Sequence, residues 1–394
     1  MSPPPANPYT QKKGKGYRVL TRNNPNLRNR TLVSKNNIPP PPPPPPIALP
    51  HAILNSEHFD ALDADDDGLL SMQEFVQPIT FDLIKAAELM RLSNFAYDQY
   101  EHFNNTPNND WQIPAPFNQV YTNPLVVIRA VYEQPSIPLG FITHNHANNE
   151  IYISWRGTSN MTEWIVDVKI DKVACSFLPL PPGKNEQNEL VHLGFHELYV
   201  TGNAQSPNKS PRNTVIDYLK GLTNKQDKIV HVTGHSLGGA LAVLNVCDIL
   251  ANVPGFKSVR MFNFAGPAVG DWDFAKTFNA KTLINGIAGS WRIVNVNDKV
   301  PQEPPSSVGV VHVKDVHMIE FGDKLSILHP SGLATNHSSL TYFRTLVKEM
   351  RDNGISATVL KNRGFTASEL KSVTSGDGGY TTSELQQAGF INIP

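Results

Sequence analysis

The chain has 394 residues, with 34 Lys and Arg against 35 Asp and Glu and 40% apolar residues. No stretch approaches the ~18 consecutive apolar residues of a membrane-spanning helix, and two cysteines, Cys175 and Cys247, cannot build a disulfide scaffold. The near-zero net charge hides an uneven split: residues 1–50 hold eight basic groups, no acidic one and 14 of the 33 prolines, leaving an acidic body.

The arm lacks periodic apolar residues and ends in eight prolines, Pro39 to Pro46. It reads as a disordered basic segment with a stiff polyproline II spacer. Its functional alternatives are a docking site for a proline-recognising partner and a basic anchor for anionic surfaces. The opening MSPPPANPYTQKKGKGY has no apolar core of a secretory signal. Together with two free thiols, this makes a cytoplasmic location the default expectation. No specific nucleic-acid binding is expected.

Residues 51–80 read as a short helix, an acidic loop and a second short helix. The loop Asp63-Ala64-Asp65-Asp66-Asp67-Gly68-Leu69-Leu70-Ser71-Met72-Gln73-Glu74 fits the EF-hand calcium pattern. Asp63, Asp65 and Asp67 supply carboxylates at positions 1, 3 and 5, and Gly68 allows the bend at position 6. The Leu69 carbonyl falls at position 7, Ser71 at position 9 through a water, and Glu74 closes the site bidentately at position 12. Only one complete loop is present in the sequence. Near the end of the chain Gly376 to Glu384 echoes half of another, with Val373 where the first carboxylate belongs.

A long amphipathic helix is predicted from residue 81 to about 102. Strands then alternate with helices: LVVIRAVY, EIYISW, KIVHVTG, VRMFNFA and SWRIVNV are predicted strands, and SLTYFRTLVKEM is a closing helix. Such alternation over some 270 residues of the body predicts an α/β domain, residues 81–355, with a largely parallel sheet. Between two of these strands, Met161, Trp164, Ile165 and Val168 share one helical face, with Glu163 and Asp167 elsewhere. Residues 356–394 form a tail in which GFTASELKSV and GYTTSELQQA repeat a frame, each read as a one-turn helix entered through a Thr cap.

The chemistry centres on Gly234-His235-Ser236-Leu237-Gly238-Gly239. An apolar strand precedes this G-x-S-x-G and a small-residue helix follows, the strand–turn–helix setting of a nucleophile elbow. Glycines flank the serine because the turn leaves no room for side chains, and backbone N–H groups at the helix start favour developing negative charge. A serine nucleophile needs a base and a group that orients it. Asp298 follows a strand, with Asp271, Asp273, Asp315 and Asp323 as competitors. The candidate bases are His312, His317, His329 and His337. His337 precedes the last helix on a loop, whereas His312 sits in an apolar run and reads as structural.

Six ordered stretches, WRGT (155–158), VHLGF (191–195), GHSLGG (234–239), FNFAGPAVGD (262–271), NDKVP (297–301) and NHSS (336–339), resemble the class 3 (fungal-type) lipases through about residues 81–350. The resemblance implies an α/β-hydrolase with Ser236 as nucleophile, Asp298 as orienting acid and His337 as base. It further implies an oxyanion hole from the N–H groups of Thr158 and Leu237, and a lid carrying Trp164 and Ile165. The expected function is cleavage of glycerolipid acyl esters at a membrane or droplet surface, with calcium outside the chemical step. The alternatives are a phospholipase A1 and, from another class, a calcium-responsive scaffold whose hydrolase body is inactive.

Overall fold

Most of the predicted strands lie side by side in one sheet. The computed structural model describes residues 81–394, apart from 107–109, 123–125, 131–136, 146, 159–170, 181–182, 203–207, 283–288, 314, 323–333 and 372–377. The basic arm, the calcium loop with Asp63, Asp65, Asp67, Leu69, Ser71 and Glu74, and the lid residues Trp164 and Ile165 lie outside the described residues.

The strands are β1 (Val126–Ala130), β2 (Ile137–His144), β3 (Glu150–Trp155), β4 (Lys172–Ala174), β5 (Leu190–His192), β6 (Ile229–His235), β7 (Ser258–Phe264), β8 (Ser290–Asn295) and β9 (Val316–Ile319). Seven of them form a sheet in the order β1-β2-β3-β6-β7-β8-β9, and β4 pairs with β5 apart from it. Pairing is parallel from β3 through β9 and antiparallel across β1, β2 and β3. The parallel part matches the expectation from alternating strands and helices, and the fold is α/β with a largely parallel central sheet. Within this sheet β2 and β9 are additions to the predicted set, as β4 and β5 are outside it. Pro138 and Gly140 interrupt the apolar pattern of β2, and Gly140 is required there because a Cβ would lie 1.9 Å from the Ser154 carbonyl oxygen on β3.

Helices cover both faces of the sheet. On one face lie α2 (Leu193–Val200), α3 (Pro211–Lys220) and α4 (Leu237–Asn252), which share a core with Ile151, Ile153, Trp155, Val230 and Val232. On the other face, α1 (Leu83–Asn105) and α6 (Ser339–Asp352) pack over Phe141, Tyr152, Phe262 and Ile293. α5 (Trp272–Thr282) follows β7. None of the described helices is long and apolar enough to cross a membrane.

The seam between α1 and β6 sets the position of the site. Strand alternation turns Val230 and Val232 towards α4, and therefore His231, Thr233 and His235 towards α1. Ala86, Ala87, Ser93 and Ala96 are buried, small enough to let α1 lie close to the sheet. Ser93 Oγ lies 3.0 Å from Thr233 Oγ1, and Ser154 Oγ donates to the Leu92 carbonyl at 2.8 Å. Four helical residues advance ~6 Å and two strand residues ~6.6 Å, so Tyr97 falls beside His235 as Ser93 falls beside Thr233.

The tail packs into the same core as α1 and α6, through Leu360, Phe365, Leu370, Tyr380 and Leu385. It belongs to the compact unit Pro78–Pro394. It holds three units rather than two: Gly354-Ile355-Ser356 opens α7 (Ala357–Asn362) as Gly364-Phe365-Thr366 opens α8 (Ala367–Leu370) and Gly379-Tyr380-Thr381 opens α9 (Thr382–Gln387). The last two carry capping boxes, Thr366 with Glu369 and Thr381 with Glu384, and each glutamate also reaches an arginine of the body. Glu384, in the segment that echoes a calcium loop, is thus engaged in a cap and an ion pair. Glu369 pairs with Arg91, which is 4% exposed and lies 4.5 Å and 4.4 Å from the ring centres of Phe117 and Phe365. Glu384 pairs with Arg351, with about a third of each side chain exposed.

These two glutamates make the same kind of cap and ion pair at different burial, which gives a test. Either Ala substitution removes one capping box, but Glu369→Ala also strands a buried guanidinium. Breaking a buried pair costs ~3–5 kcal/mol, against ~0–1 kcal/mol for an exposed one. In urea unfolding, Glu369→Ala should lose roughly 2–4 kcal/mol more than Glu384→Ala. Equal losses would show that Arg91 finds water once its partner is gone.

Candidate active site

Ser236 stands between the last residue of β6 and the first of α4, with φ 60° and ψ −128°. This is a region that side-chain-bearing residues avoid, at a cost of ~1–3 kcal/mol. The turn is held from both sides. The Ser236 N–H donates to the Phe264 carbonyl on β7 at 2.9 Å, and its own carbonyl accepts from the Gly239 N–H at 2.8 Å. A Cβ at Gly234 would lie 2.2 Å from the Gly238 carbonyl oxygen, and a Cβ at Gly238 would lie 2.2 Å from that of Trp155. No other residue fits at either position. The same contact presses the first turn of α4 against the end of β3, so Leu237 and the segment Arg156-Gly157-Thr158 face one another across the elbow. The Leu237 N–H belongs to the first turn of α4, where no intrahelical carbonyl is available to it.

Asp298 lies on the loop after β8, and His337 on the loop before α6. Both are buried, and His337 Nδ1 lies 2.6 Å from Asp298 Oδ2. A carboxylate only accepts, so Nδ1 carries the proton and Nε2 is left with a lone pair. Nε2 has no hydrogen-bond partner among the described residues. The His337 ring lies 4.5 Å from that of His235, the residue before Ser236. The structure thus joins Asp298 to His337 and brings the pair to the elbow.

Two further donors hold Asp298. The Val300 N–H donates to Oδ1 at 3.0 Å, and the Tyr342 hydroxyl donates to Oδ2 at 2.9 Å. Tyr342 in turn accepts from the Asn295 N–H at 2.8 Å. Burial, and then the neighbouring Asp298 charge, push the phenol well above its ordinary pKa, so it remains a donor. Tyr342 was not visible as a site residue in the sequence, where it is one more apolar position on the inner face of α6. Three asparagines lock the two loops. Asn295 Nδ2 donates to the Asn336 carbonyl, Asn336 Nδ2 to the Asn297 carbonyl, and Asn297 Nδ2 to that of Phe321.

The competing residues have other tasks. Asp271 Oδ1 accepts from the Phe274 N–H at the start of α5, Asp273 lies in the first turn of that helix, and Asp315 sits in the turn before β9. His312 Nε2 lies 2.5 Å from the Pro301 carbonyl oxygen, and burial pushes its pKa down to about 4, which keeps it neutral. His317 pairs with Glu349 and stacks on Phe81. Asp323 and His329 lie outside the described residues. Cys175 and Cys247 are both free and buried.

A serine in a strained elbow and a buried Asp–His pair beside it form an arrangement suited to acyl transfer. Residues 152–308 match the family model of the class 3 lipases. That span includes Ser236 and Asp298 and stops short of His337. Phospholipase A1-II 1 of Oryza sativa subsp. indica is 30% identical over 213 residues, 52% of this chain and 52% of its own length. Phospholipase A1-IIgamma of Arabidopsis thaliana is 32% identical over 203 residues, 48% of this chain and 46% of its own. The chain thus spans about half the length of these curated relatives. Among solved structures, lipase II from Rhizopus niveus aligns with a TM-score of 0.47 at 23% identity, covering 66% of this chain and 94% of that one.

The elbow strain can be measured without any assay of activity. Ser236→Gly and Ser236→Ala both delete the hydroxyl, but only glycine also removes the Cβ that makes φ 60° costly. Ser236→Gly should be more stable than Ser236→Ala by about 1 kcal/mol in chemical unfolding. The reverse order would mean that the turn is relaxed with a Cβ present.

Proposed function

We propose that the chain is a serine carboxylester hydrolase that cleaves acyl esters of glycerolipids at a membrane or droplet surface through an acyl-enzyme. The observation that carries this reading is the buried Asp298–His337 pair, its Nε2 without a hydrogen-bond partner among the described residues, beside a serine held in an elbow. In the proposed reaction His337 Nε2 takes the Ser236 hydroxyl proton as Oγ attacks the ester carbonyl. Asp298 stabilises the imidazolium, with Tyr342 and Val300 keeping the carboxylate in place. The N–H groups of Thr158 and Leu237 receive the oxyanion. Collapse breaks the ester C–O bond, and Nε2 returns the proton to the departing alkoxide oxygen. Water, deprotonated by Nε2, then attacks the acyl-enzyme, releasing the fatty acid and restoring Ser236.

The relatives named phospholipase A1 favour a second reading within this one, a phospholipid as the acyl donor. We also propose, on the ligand pattern of residues 63–74 alone, that this loop takes one calcium ion. No step above passes through it.

A fluorophosphonate probe should label the wild type at Ser236. Ser236→Ala and His337→Ala should each lose several powers of ten in turnover, and Asp298→Asn somewhat less. Unchanged turnover in Ser236→Ala would end the serine-hydrolase reading, and an unlabelled wild type inert towards esters would favour the scaffold alternative. Rates on p-nitrophenyl butyrate, triolein and phosphatidylcholine then separate general lipase from phospholipase.

The calcium assignment has its own measurement. Calorimetric titration should show one binding event, lost in Asp63→Ala combined with Glu74→Gln, with fluorophosphonate labelling of the double variant unchanged. Absence of heat at millimolar calcium would remove the site.

A further inference from the structure

Among the groups that the machinery above leaves unused are the half-buried Tyr97 and the buried His235. Tyr97 Oη lies 2.9 Å from His235 Nδ1, with the rings in an edge-on arrangement. Tyr97 also shares a hydrogen bond with the backbone of Gly157. That bond favours the charged phenolate, so it runs from the Gly157 N–H to the phenol oxygen. A Cβ at Gly157 would lie 2.1 Å from Tyr97 Oη, 2.7 Å from the His235 carbonyl oxygen and 3.0 Å from Ser236 Cβ. Gly157 is therefore wedged between the phenol and the elbow.

The protons follow from this arrangement. Burial, with His337 beside it, holds His235 far below its ordinary pKa, so the ring is neutral and carries one proton. The Tyr97 oxygen already accepts from Gly157, and its single proton is free for His235 Nδ1. If Nδ1 carried the proton instead, two N–H groups would converge on one phenol oxygen and the phenol proton would have no acceptor. His235 is therefore protonated on Nε2, which has no hydrogen-bond partner among the described residues. The other rings against His235 are those of His337, at 4.5 Å, and Tyr342, at 5.8 Å.

We propose that Tyr97 is a positioning residue that ties the oxyanion segment to the elbow and, through His235, to the base. One phenol oxygen receives the Gly157 N–H on one side and gives its proton to His235 on the other. The Thr158 amide, Ser236 and the His337 loop are thereby registered against a single fixed point on α1. This inference rests on the ester-hydrolase reading. It adds that the spacing between oxyanion donors and base is set from a helix that supplies neither.

Tyr97→Phe keeps the ring and removes both bonds. It should lower kcat by 10- to 100-fold with KM within twofold, since what is lost is placement in the transition state. The rate of fluorophosphonate inactivation, counted per labelled active site, should fall by the same factor, which removes misfolded protein from the measurement. His235→Asn places an acceptor near the former Nδ1 and should retain more activity than His235→Leu. The double variant Tyr97→Phe with His235→Leu should be no slower than His235→Leu alone, because the two act as a unit.

Ser236→Ala in the same assay keeps the two readings apart. Full activity there would sink the serine mechanism itself. If Ser236→Ala is dead, this inference is overturned by a Tyr97→Phe enzyme with wild-type kcat, by a loss confined to KM, or by losses at Tyr97 and His235 that simply multiply.

Discussion

Where the end of β3 meets the start of α4 there is no room for a methyl group. Gly234 and Gly238 approach backbone atoms of α4 and of Trp155 to within 2.2 Å of where a Cβ would stand, and Gly157 is enclosed in the same way. This close approach forces Ser236 into its unusual φ and ψ, and it brings the segment leading to Thr158 against the helix start that carries Leu237. A larger side chain at Gly234 or Gly238 would separate strand from helix, and one at Gly157 would meet the Tyr97 phenol, the His235 carbonyl and the Ser236 side chain. The strain at Ser236 is the local cost of a serine on an elbow, offset by two apolar cores that fix β6 and α4 on opposite sides of the turn.

Charge is placed at this elbow without solvent to support it, and the surrounding polar groups account for that. Asp298 is 1% exposed, yet it is met by an imidazole, a phenol and a main-chain amide. A buried carboxylate is tolerable under those terms. The donors are themselves held. Tyr342 is anchored by the Asn295 amide, and the asparagines of the two loops bind each other's carbonyls, so neither Asp298 nor His337 depends on its own loop for its place. The α1 side works alike: Ser93 and Thr233, then Tyr97 and His235, form successive polar rungs along one helix–strand seam.

Much of this was legible in the sequence. Strands β3, β6, β7 and β8 were readable because continuous apolar runs end in polar or glycine turns, and Ser236 was readable because the elbow needs small residues at fixed positions. β2 was hidden by Pro138 and Gly140, and β9 by its brevity and by Val316 and Met318 facing outward. Asp298 and His337 could be shortlisted but not isolated, since strand-end aspartates and loop histidines are common. Tyr97 and Tyr342 left no signal, because a tyrosine on the inner face of a helix looks the same whether its hydroxyl has a catalytic neighbour or not. Asn295, Asn297 and Asn336 stand out in no way from the other asparagines of the sequence, yet they prove to be fasteners. The first tail unit escaped notice because Ile355 replaces the aromatic residue and Val359 the capping glutamate.

The tail acquires a meaning from the helices it grips. α6 starts at the His337 loop, presents Tyr342 to Asp298 one turn later and carries in its last turn Arg351, which Glu384 holds. α1 carries Arg91, held by Glu369, and under two turns further on presents Tyr97 to His235. Each of the two capped tail units therefore clasps a helix that also places a phenol at the site. A rigid helix transmits such anchoring with little loss, since its hydrogen-bonded turns do not compress independently. The same glutamate that starts each short tail helix also closes an ion pair with the body, so folding of the tail unit and docking onto α1 or α6 occur together. Tail and active site are in that sense built on the same two helices.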